Sequence, residues 1–386
     1  MRLLPPPPVA TWDFEINAVP GQSGQGEEGL VVSRPDFPSL YILNHTARFI
    51  WTNLQHGGPQ QCLVERFATY YGISLNQAAT DVALTLDAWS QTLLSPVRAT
   101  QYVAPPPRPP PSSSLFACDY TLGVKHFRLV AHDSDFVEEI VPRLAHLTAT
   151  RQSPDITFQV FRHEELLWVF CGEASIGAEP EVSVARTILL QEMARLARPD
   201  TDWLAILHAA ACGTTEHCVL LAAATNSGKS TLTAALMHSG LHVFSDDSAA
   251  IDRQSLRVVS LPFALMLREG SWPTLVPYFP ELSTAPIFYR NGELVRFLPP
   301  RSDNPVRSAI PQCLLFVRYQ PGAPTQLRDL TTFQSLLGLQ KSGFWVPHDR
   351  QSIGKFLLWV RAIPAHELSY SQLSDAIPLV RSLLSQ

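Results

Sequence analysis

The sequence predicts an α/β protein: a larger unit built around a strand, a polar turn and a helix, preceded by a small α+β module of winged-helix-like pattern. Three observations carry that expectation. The run VAPPPRPPPSSS, with PPPRPPP at 105–111, divides the 386 residues into unequal parts. The part before it shows two short strand patterns and then three amphipathic helical ones. The part after it alternates strand-like and helical stretches, and one short apolar run leads through Gly-Lys-Ser into a helix, the layout of a phosphate-binding α/β unit.

Composition narrows the function classes. Lys plus Arg total 29 against 34 Asp plus Glu, a net charge of −5, which argues against a broad electrostatic footprint for nucleic acid. The cysteines Cys62, Cys118, Cys171, Cys212, Cys218 and Cys313 are dispersed, without a Cys-x-x-Cys pair. A chain of this size needs no staples, so a reducing, cytoplasmic location is expected. The start MRLLPPPPVATW has prolines where a secretory signal needs an apolar segment. The longest uncharged apolar stretch, around 258–267, is half a bilayer span, so no membrane partner is expected.

Residues 1–28, with prolines 5–8 and GQSGQGEEG, read as a loose N-terminal segment. A folded module is expected at 29–98. Its strands fall at 30–32 and 39–43. A first helix runs through Ala47, Ile50, Trp51 and Leu54 and stops at His56-Gly57-Gly58; a second carries Leu63, Phe67, Tyr70 and Tyr71 and ends at Gly72. A third carries Val82, Leu86, Trp89 and Leu93 at helical spacing, and Trp51 and Trp89 are expected in the core. No acid/base constellation lies inside this module.

The stretches YILNHTARFIWTNLQHGGPQQCLVERFATYYGIS and DVALTLDAWSQTLL resemble the PqqD-like peptide-recognition domain, the recognition element of pathways that modify ribosomally made peptides. The resemblance implies that residues 29–98 bind the leader of a precursor peptide as an added strand. A helix-turn-helix DNA binder shares these elements, but only Arg48 and Arg66 are basic across 39–95, too few to neutralise many phosphates. Residues 99–114 read as a Pro-rich linker, a semi-rigid tether between module and larger unit. In 115–200, strand patterns near 115–120, 127–130, 156–161 and 167–171 and helical ones near 135–147 and 182–196 form the first part of the larger unit, without a convergent polar motif.

Residues 217–252, HCVLLAAATNSGKSTLTAALMHSGLHVFSDDSAAID, carry the chemistry. The run 219–222 suits a buried parallel strand, and 229–239 suits a helix with Gly240 as its stop. In that context Lys229 reaches the β/γ-phosphates of a nucleotide, Ser230 ligates Mg²⁺, and the amides of Thr225, Asn226, Ser227, Gly228, Lys229, Ser230 and Thr231 face the phosphates. Two positions depart from the pattern: Ala223 stands at the first glycine, and Asn226 where another glycine is common. The next strand ends in Asp246 and Asp247, expected beside the phosphate-loop strand. That is a pair able to divide metal binding and proton acceptance. Upstream, WLAILHAAAC places His208 in an apolar segment. Cys212 and Cys218 with His208 and His217 match no zinc spacing.

With the histidine, the Gly-Lys-Ser turn and the Asp-Asp pair in this order, residues 115–386 resemble the HPr kinase family, of the HPr kinase/PEP carboxykinase-like P-loop fold. LPFALMLREGSW, YRNGELVRFLPP, CLLFVRYQPGAP and LSYSQLSDAIPLVRSLL extend the resemblance. They look like the HPr-kinase-related kinases found beside peptide-modifying enzymes more than like HPr kinase itself. The resemblance implies ATP and Mg²⁺ as cofactors, and 201–386 as the nucleotide-binding and C-terminal part. It implies one aspartate as general base toward a serine hydroxyl, with His208 near the pair. Asp247 is favoured as base, and Asp246 with Ser230 as metal ligand. The Ile-Arg-Gly turn tied to the reverse, phosphorolytic reaction has no clean counterpart; Arg268 and Glu269 occupy the nearest segment. Charge on the transferred phosphoryl group needs a further cation, and Arg290, Arg296, Arg301 and Arg307 are the candidates.

The expectation is an ATP-dependent serine/hydroxyl kinase acting on a ribosomally synthesised precursor peptide. Two other readings are a non-catalytic, nucleotide-gated peptide adaptor and a kinase for a small hydroxylated metabolite. Association with other peptide-modifying enzymes and homo-oligomerisation stay open.

Overall fold

A computed structural model describes residues 3–4, 10–16, 29–95, 104–149, 153–199, 201–224, 226–290, 292–301 and 307–384. The chain is mixed α/β and forms two compact units that are not contiguous in sequence. One comprises Met1–Tyr102, Asp329–Gln340 and Val346–Ala365; the other comprises Val103–Arg328, Lys341–Trp345 and His366–Gln386. The expected division, 29–98 against an unbroken 115–386, therefore needs correction. Two late segments belong with the N-terminal module.

In the first unit, β1 (Leu3–Leu4) precedes β2 (Trp12–Ile16), β3 (Gly29–Arg34) and β4 (Phe37–Leu43). These last three form an antiparallel sheet with β3 in the middle. Then come α1 (His45–Gln55), β5 (Gly58–Pro59), which pairs with β1, α2 (Gln60–Tyr71) and α3 (Leu75–Ser90). The helix limits follow local chemistry. Asn44 caps α1 by accepting from the Ala47 amide, Gly72 ends α2 with φ 65°, and Ser74 caps α3 through the Gln77 amide. Trp51 and Trp89 meet edge-on at 5.6 Å in a core with Leu30, Val32, Ile50, Phe67 and Val82.

Residues 12–16, expected within the loose segment, are strand β2. The Trp51 Nε1–H donates to Asp13 Oδ2 at 3.0 Å and helps to hold it. Strand β3 is buried along its whole length, and strand periodicity explains how. Leu30 and Val32 face the three helices. Gly29 and Ser33 face the opposite way: a Cβ on Gly29 would meet the Phe333 ring at 2.5 Å, and Ser33 Oγ lies 3.2 Å from His348 Nε2. Phe333 belongs to the helix Thr332–Ser342, most of which lies in this unit, and the helix Arg350–Ala362 lies wholly within it. These segments cover the second sheet face, which is why they group with the module.

The second unit opens on a five-stranded sheet, β6 (Phe116–Leu122), β7 (Lys125–Ala131), β8 (Ile156–His163), β9 (Leu166–Cys171) and β10 (Ala174–Glu179), antiparallel except for the β7–β8 pair. Helices α4 (Ser134–Leu144) and α5 (Val182–Ala197) share a core with it through Phe136, Ile140, Leu189, Phe127 and Phe158. The Pro-rich run is also part of this unit from Ala104 on. Arg108 Nη1 donates to Gly172 O at 2.6 Å and Gln159 Nε2 to Pro109 O at 2.7 Å. Prolines supply no N–H to satisfy each other's carbonyls, so side-chain donors pin the run, and residues 104–114 are not a free tether.

The second sheet has β11 (Trp203–Leu207), β12 (Ala209–Gly213), β13 (His217–Ala222), β14 (His242–Ser245), β15 (Ala249–Asp252) and β16 (Val258–Val259). After α6 (Lys229–His238) and a separate sheet of β17 (Leu265–Arg268), β18 (Phe288–Arg290) and β19 (Glu293–Leu298), it is completed by β20 (Ser308–Tyr319), β21 (Gln326–Asp329), β22 (Phe344–Trp345) and β23 (Ala365–Tyr370). The order is β14-β12-β13-β20-β16-β15-β11-β22, with β23 on β20 and β21 on β23. β13 and β20 are parallel, as the apolar run 219–222 predicts. β14 does not adjoin β13: β12 lies between them, antiparallel to both. Two reversals restore the direction, so β13 and β14 end at the same edge. Because β11 and β12 flank His208 directly, the path from β12 round to β11 begins and ends at that residue. Among the described residues no helix is long and apolar enough to cross a membrane.

Gly29→Ala should destabilise the first unit by about 1–3 kcal/mol in chemical denaturation, because an added methyl overpacks against Phe333. Combining it with Phe333→Leu should recover part of that loss; strictly additive effects would contradict the packing.

Candidate functional site

The turn between β13 and α6 has positive φ at Asn226 (67°) and Gly228 (85°), whereas Ala223 is not in that region. Asparagine tolerates left-handed backbone better than other side chains, and Ala223 needs no glycine, so neither departure from the glycine pattern strains the turn. Gly228 is required twice over. Its φ is left-handed, and a Cβ there would lie 2.6 Å from Tyr370 Oη and 2.9 Å from Tyr319 Cβ. The Tyr370 hydroxyl donates to Gly228 O at 3.2 Å, and the Tyr319 amide donates to Ser227 O at 3.0 Å. The turn is thus clamped by the last residues of β20 and β23. No side chain caps α6, and the amides of Lys229, Ser230 and Thr231 in its first turn have no intrahelical acceptor, an arrangement suited to an anion. Thr225 lies outside the described residues.

Lys229, buried at the start of α6, donates to the backbone O of Asp246 and to Asp247 Oδ1, each at 2.5 Å. Ser230 Oγ donates to Asp246 Oδ2 at 3.1 Å, while Asp246 Oδ1 is buried with no hydrogen-bond partner. His208 Nε2 lies 3.9 Å from Asp247 Oδ1, and its backbone amide donates to Gly343 O at 2.9 Å. The structure therefore brings Lys229, Ser230, Asp246, Asp247 and His208 to one end of the sheet.

Their environments push the two carboxyls apart. Burial raises Asp246 to about 6 against the opposing pull of Lys229. Burial acts upward on Asp247 as well, but the charges of Lys229, His208 and Arg143 and the Lys229 hydrogen bond hold it well below the usual carboxylate range. Burial lowers Lys229, but Asp247 and Asp246 outweigh it, so the ammonium stays charged. Burial also lowers His208, opposed by Asp247, although 47 % of its side chain is exposed.

The cation beside the pair is not one of the four arginines the sequence suggests. Arg143 of α4, 5 % exposed, places Nη1 3.6 Å from Asp247 Oδ2. Arg290 instead holds Glu139, Nε to Oε2 at 2.7 Å. Arg296 donates to Leu282 O and lies over the Trp272 ring, Arg301 lies over Phe279, and Arg307 is exposed. Arg268 pairs with Glu293, away from the aspartates. In the sequence the signal for Arg143 is an opposite-charge pair with Glu139 at i, i+4, set on the apolar face of Phe136, Ile140 and Leu144, and on α4 all five are buried.

Ser230 Oγ and the two Asp246 oxygens form a compact set of hard donors, and Oδ1, which accepts no hydrogen bond and has Lys229 Nζ at 3.9 Å, is an available ligand. These residues fit Mg²⁺, which takes one or two protein oxygens and completes its shell with phosphate and water. A cavity of about 760 Å³ in the same unit is lined by His146, Met237, His242, Phe279, Phe297 and Arg301 among others, and by none of the residues around Asp247. No protein-family model matches the chain, and no curated protein matches it.

Gly228→Ala should destabilise the second unit by about 1–3 kcal/mol in chemical denaturation, because its methyl meets Tyr370 and Tyr319 at positive φ, whereas Asn226→Gly should stay within about 1 kcal/mol of the parent. Asp246→Asn tests the burial of charge. With folded-state ionisation raised to about 6, stability is lost as pH climbs through that value. In metal-free buffer the variant should therefore gain thermal stability over the parent between pH 4 and pH 8, by roughly 2–6 °C. A constant offset across that range would show that Asp246 does not titrate there.

Proposed function

We propose that the chain is an ATP- and Mg²⁺-dependent kinase that phosphorylates a hydroxyl, most simply a serine, of a precursor peptide held by its first unit. The observation that carries this reading is the convergence of Lys229, Ser230, Asp246, Asp247 and His208 at one sheet end, beside free amides of a helix N-terminus.

Roles follow from surroundings. Asp246, buried and tied to Ser230, suits the metal; Asp247, 29 % exposed, suits an incoming hydroxyl. When bound, Mg²⁺ supplies charge neutralisation on the phosphates. Asp247 accepts the hydroxyl proton, the oxygen forms a bond to the γ-phosphorus, and the bond to the bridging oxygen breaks, leaving ADP with the electron pair. With Lys229 on it, Asp247 is a weak base. Moving the ammonium to the nucleotide phosphates removes its nearest cation and restores basicity. For peptide capture, support comes from β2 and β4, whose outer edges carry no partner strand among the described residues. Such an edge admits an added strand.

The full chain, incubated with ATP, Mg²⁺ and the precursor peptides encoded beside its gene, should yield a phosphate ester on a serine, detected by mass spectrometry. Asp247→Asn should slow transfer by roughly 10²–10⁴-fold, the range of a general base, and Lys229→Ala should lose it. ATP binding without any transfer would instead favour the adaptor, and transfer to small hydroxylated metabolites but not to peptides would favour the metabolite kinase.

A further inference from the structure

Arg143 is a buried cation with no oxygen acceptor within hydrogen-bond reach of its guanidinium among the described residues. Its Nε has no hydrogen-bond partner, Nη2 lies 3.3 Å from Met266 Sδ, and its guanidinium sits over the Phe297 ring at 5.4 Å. The carboxylates nearby stop short of hydrogen bonding: Glu139 Oε1 at 3.8 Å and Asp247 Oδ2 at 3.6 Å. Glu139 is already engaged by Arg186 and by Arg290. Arg290 is shared between Glu139 and Glu138, and a buried guanidinium whose Nε is unpaired and whose carboxylate neighbours stay beyond hydrogen-bond reach is costly unless a ligand completes it.

Resting on the phosphoryl-transfer reading above, we propose that Arg143 is a catalytic residue that binds the γ-phosphoryl group as it transfers. It flanks Asp247 on Oδ2, opposite Lys229 on Oδ1, so a phosphoryl group delivered to a hydroxyl at Asp247 meets a cation on each side. The planar fork with unused N–H groups matches phosphate oxygens, and charge developing at transfer is where such a donor acts. The Phe297 ring and Met266 Sδ orient the guanidinium. The Arg143 backbone O, which accepts from the Ala264 amide at 3.1 Å, anchors its helix beside the β17 segment.

The test compares binding of MgADP with and without aluminium fluoride, a mimic of the transferring phosphoryl group, to the full chain and to Arg143→Met. The parent should bind ADP markedly tighter with aluminium fluoride. Arg143→Met should keep ADP affinity within about threefold but cut that tightening by roughly 10²-fold, the scale of one preorganised donor. If it does not fold, Arg143→Lys, which keeps the charge but not the fork, should still lose about tenfold of the tightening. Full tightening in either variant overturns the assignment, and so does an equal loss of ADP binding alone, the mark of a structural role. A parent that binds MgADP but shows no tightening overturns the phosphoryl-transfer reading itself, and Arg143 with it.

Discussion

The second unit is organised around the buried Lys229 ammonium, which bonds the backbone of Asp246 and the carboxylate of Asp247 at once. A lone ammonium in that position would be expelled or deprotonated, so the start of α6 and the end of β14 must meet. The interposed β12 makes this possible. By reversing direction twice across the sheet, it brings the ends of β13 and β14 to one edge. The Gly228 turn, pressed against Tyr319 and Tyr370, fixes the lysine's backbone from the other side.

The same charge constraint draws in a helix from a different sheet. Glu139 and Arg143 lie on the buried face of α4, otherwise lined by Phe136, Ile140 and Leu144, and they are admitted there because Arg186, Arg290 and Asp247 supply opposite charge. The five-stranded sheet and its helices thus frame the centre and also contribute a side chain to it. In the first unit the constraint is apolar: a sheet three strands wide, with its central strand buried on both faces, needs two covers. One comes from α1 to α3, and the other arrives some three hundred residues later in the chain.

Local signals were highly legible where one segment alone decides its state. Gly72 announces the end of the second helix, and the apolar run before Gly-Lys-Ser announces a parallel strand. The turn's glycine chemistry was half legible. Asn226 stands where a glycine is common and is left-handed, but whether Ala223 needs positive φ depends on a backbone path that composition does not encode. Strand β2 was obscured by the Gly/Gln/Glu-rich segment that follows it, and its stability comes from pairing with β3 and from the Trp51–Asp13 bond.

By itself the sequence determined the alternating elements of an α/β chain, the helix stops at glycine, the tryptophan core and the residue types gathered at Lys229, Ser230, Asp246, Asp247 and His208, because each is written in spacing and local propensity. Tertiary structure alone decided which arginine faces Asp247, which aspartate is buried against Ser230, where the Pro-rich run is pinned and which late segments cover the first sheet. Those outcomes depend on desolvation and charge pairing between residues tens to hundreds of positions apart. No local pattern fixes which of several arginines or helices will satisfy them.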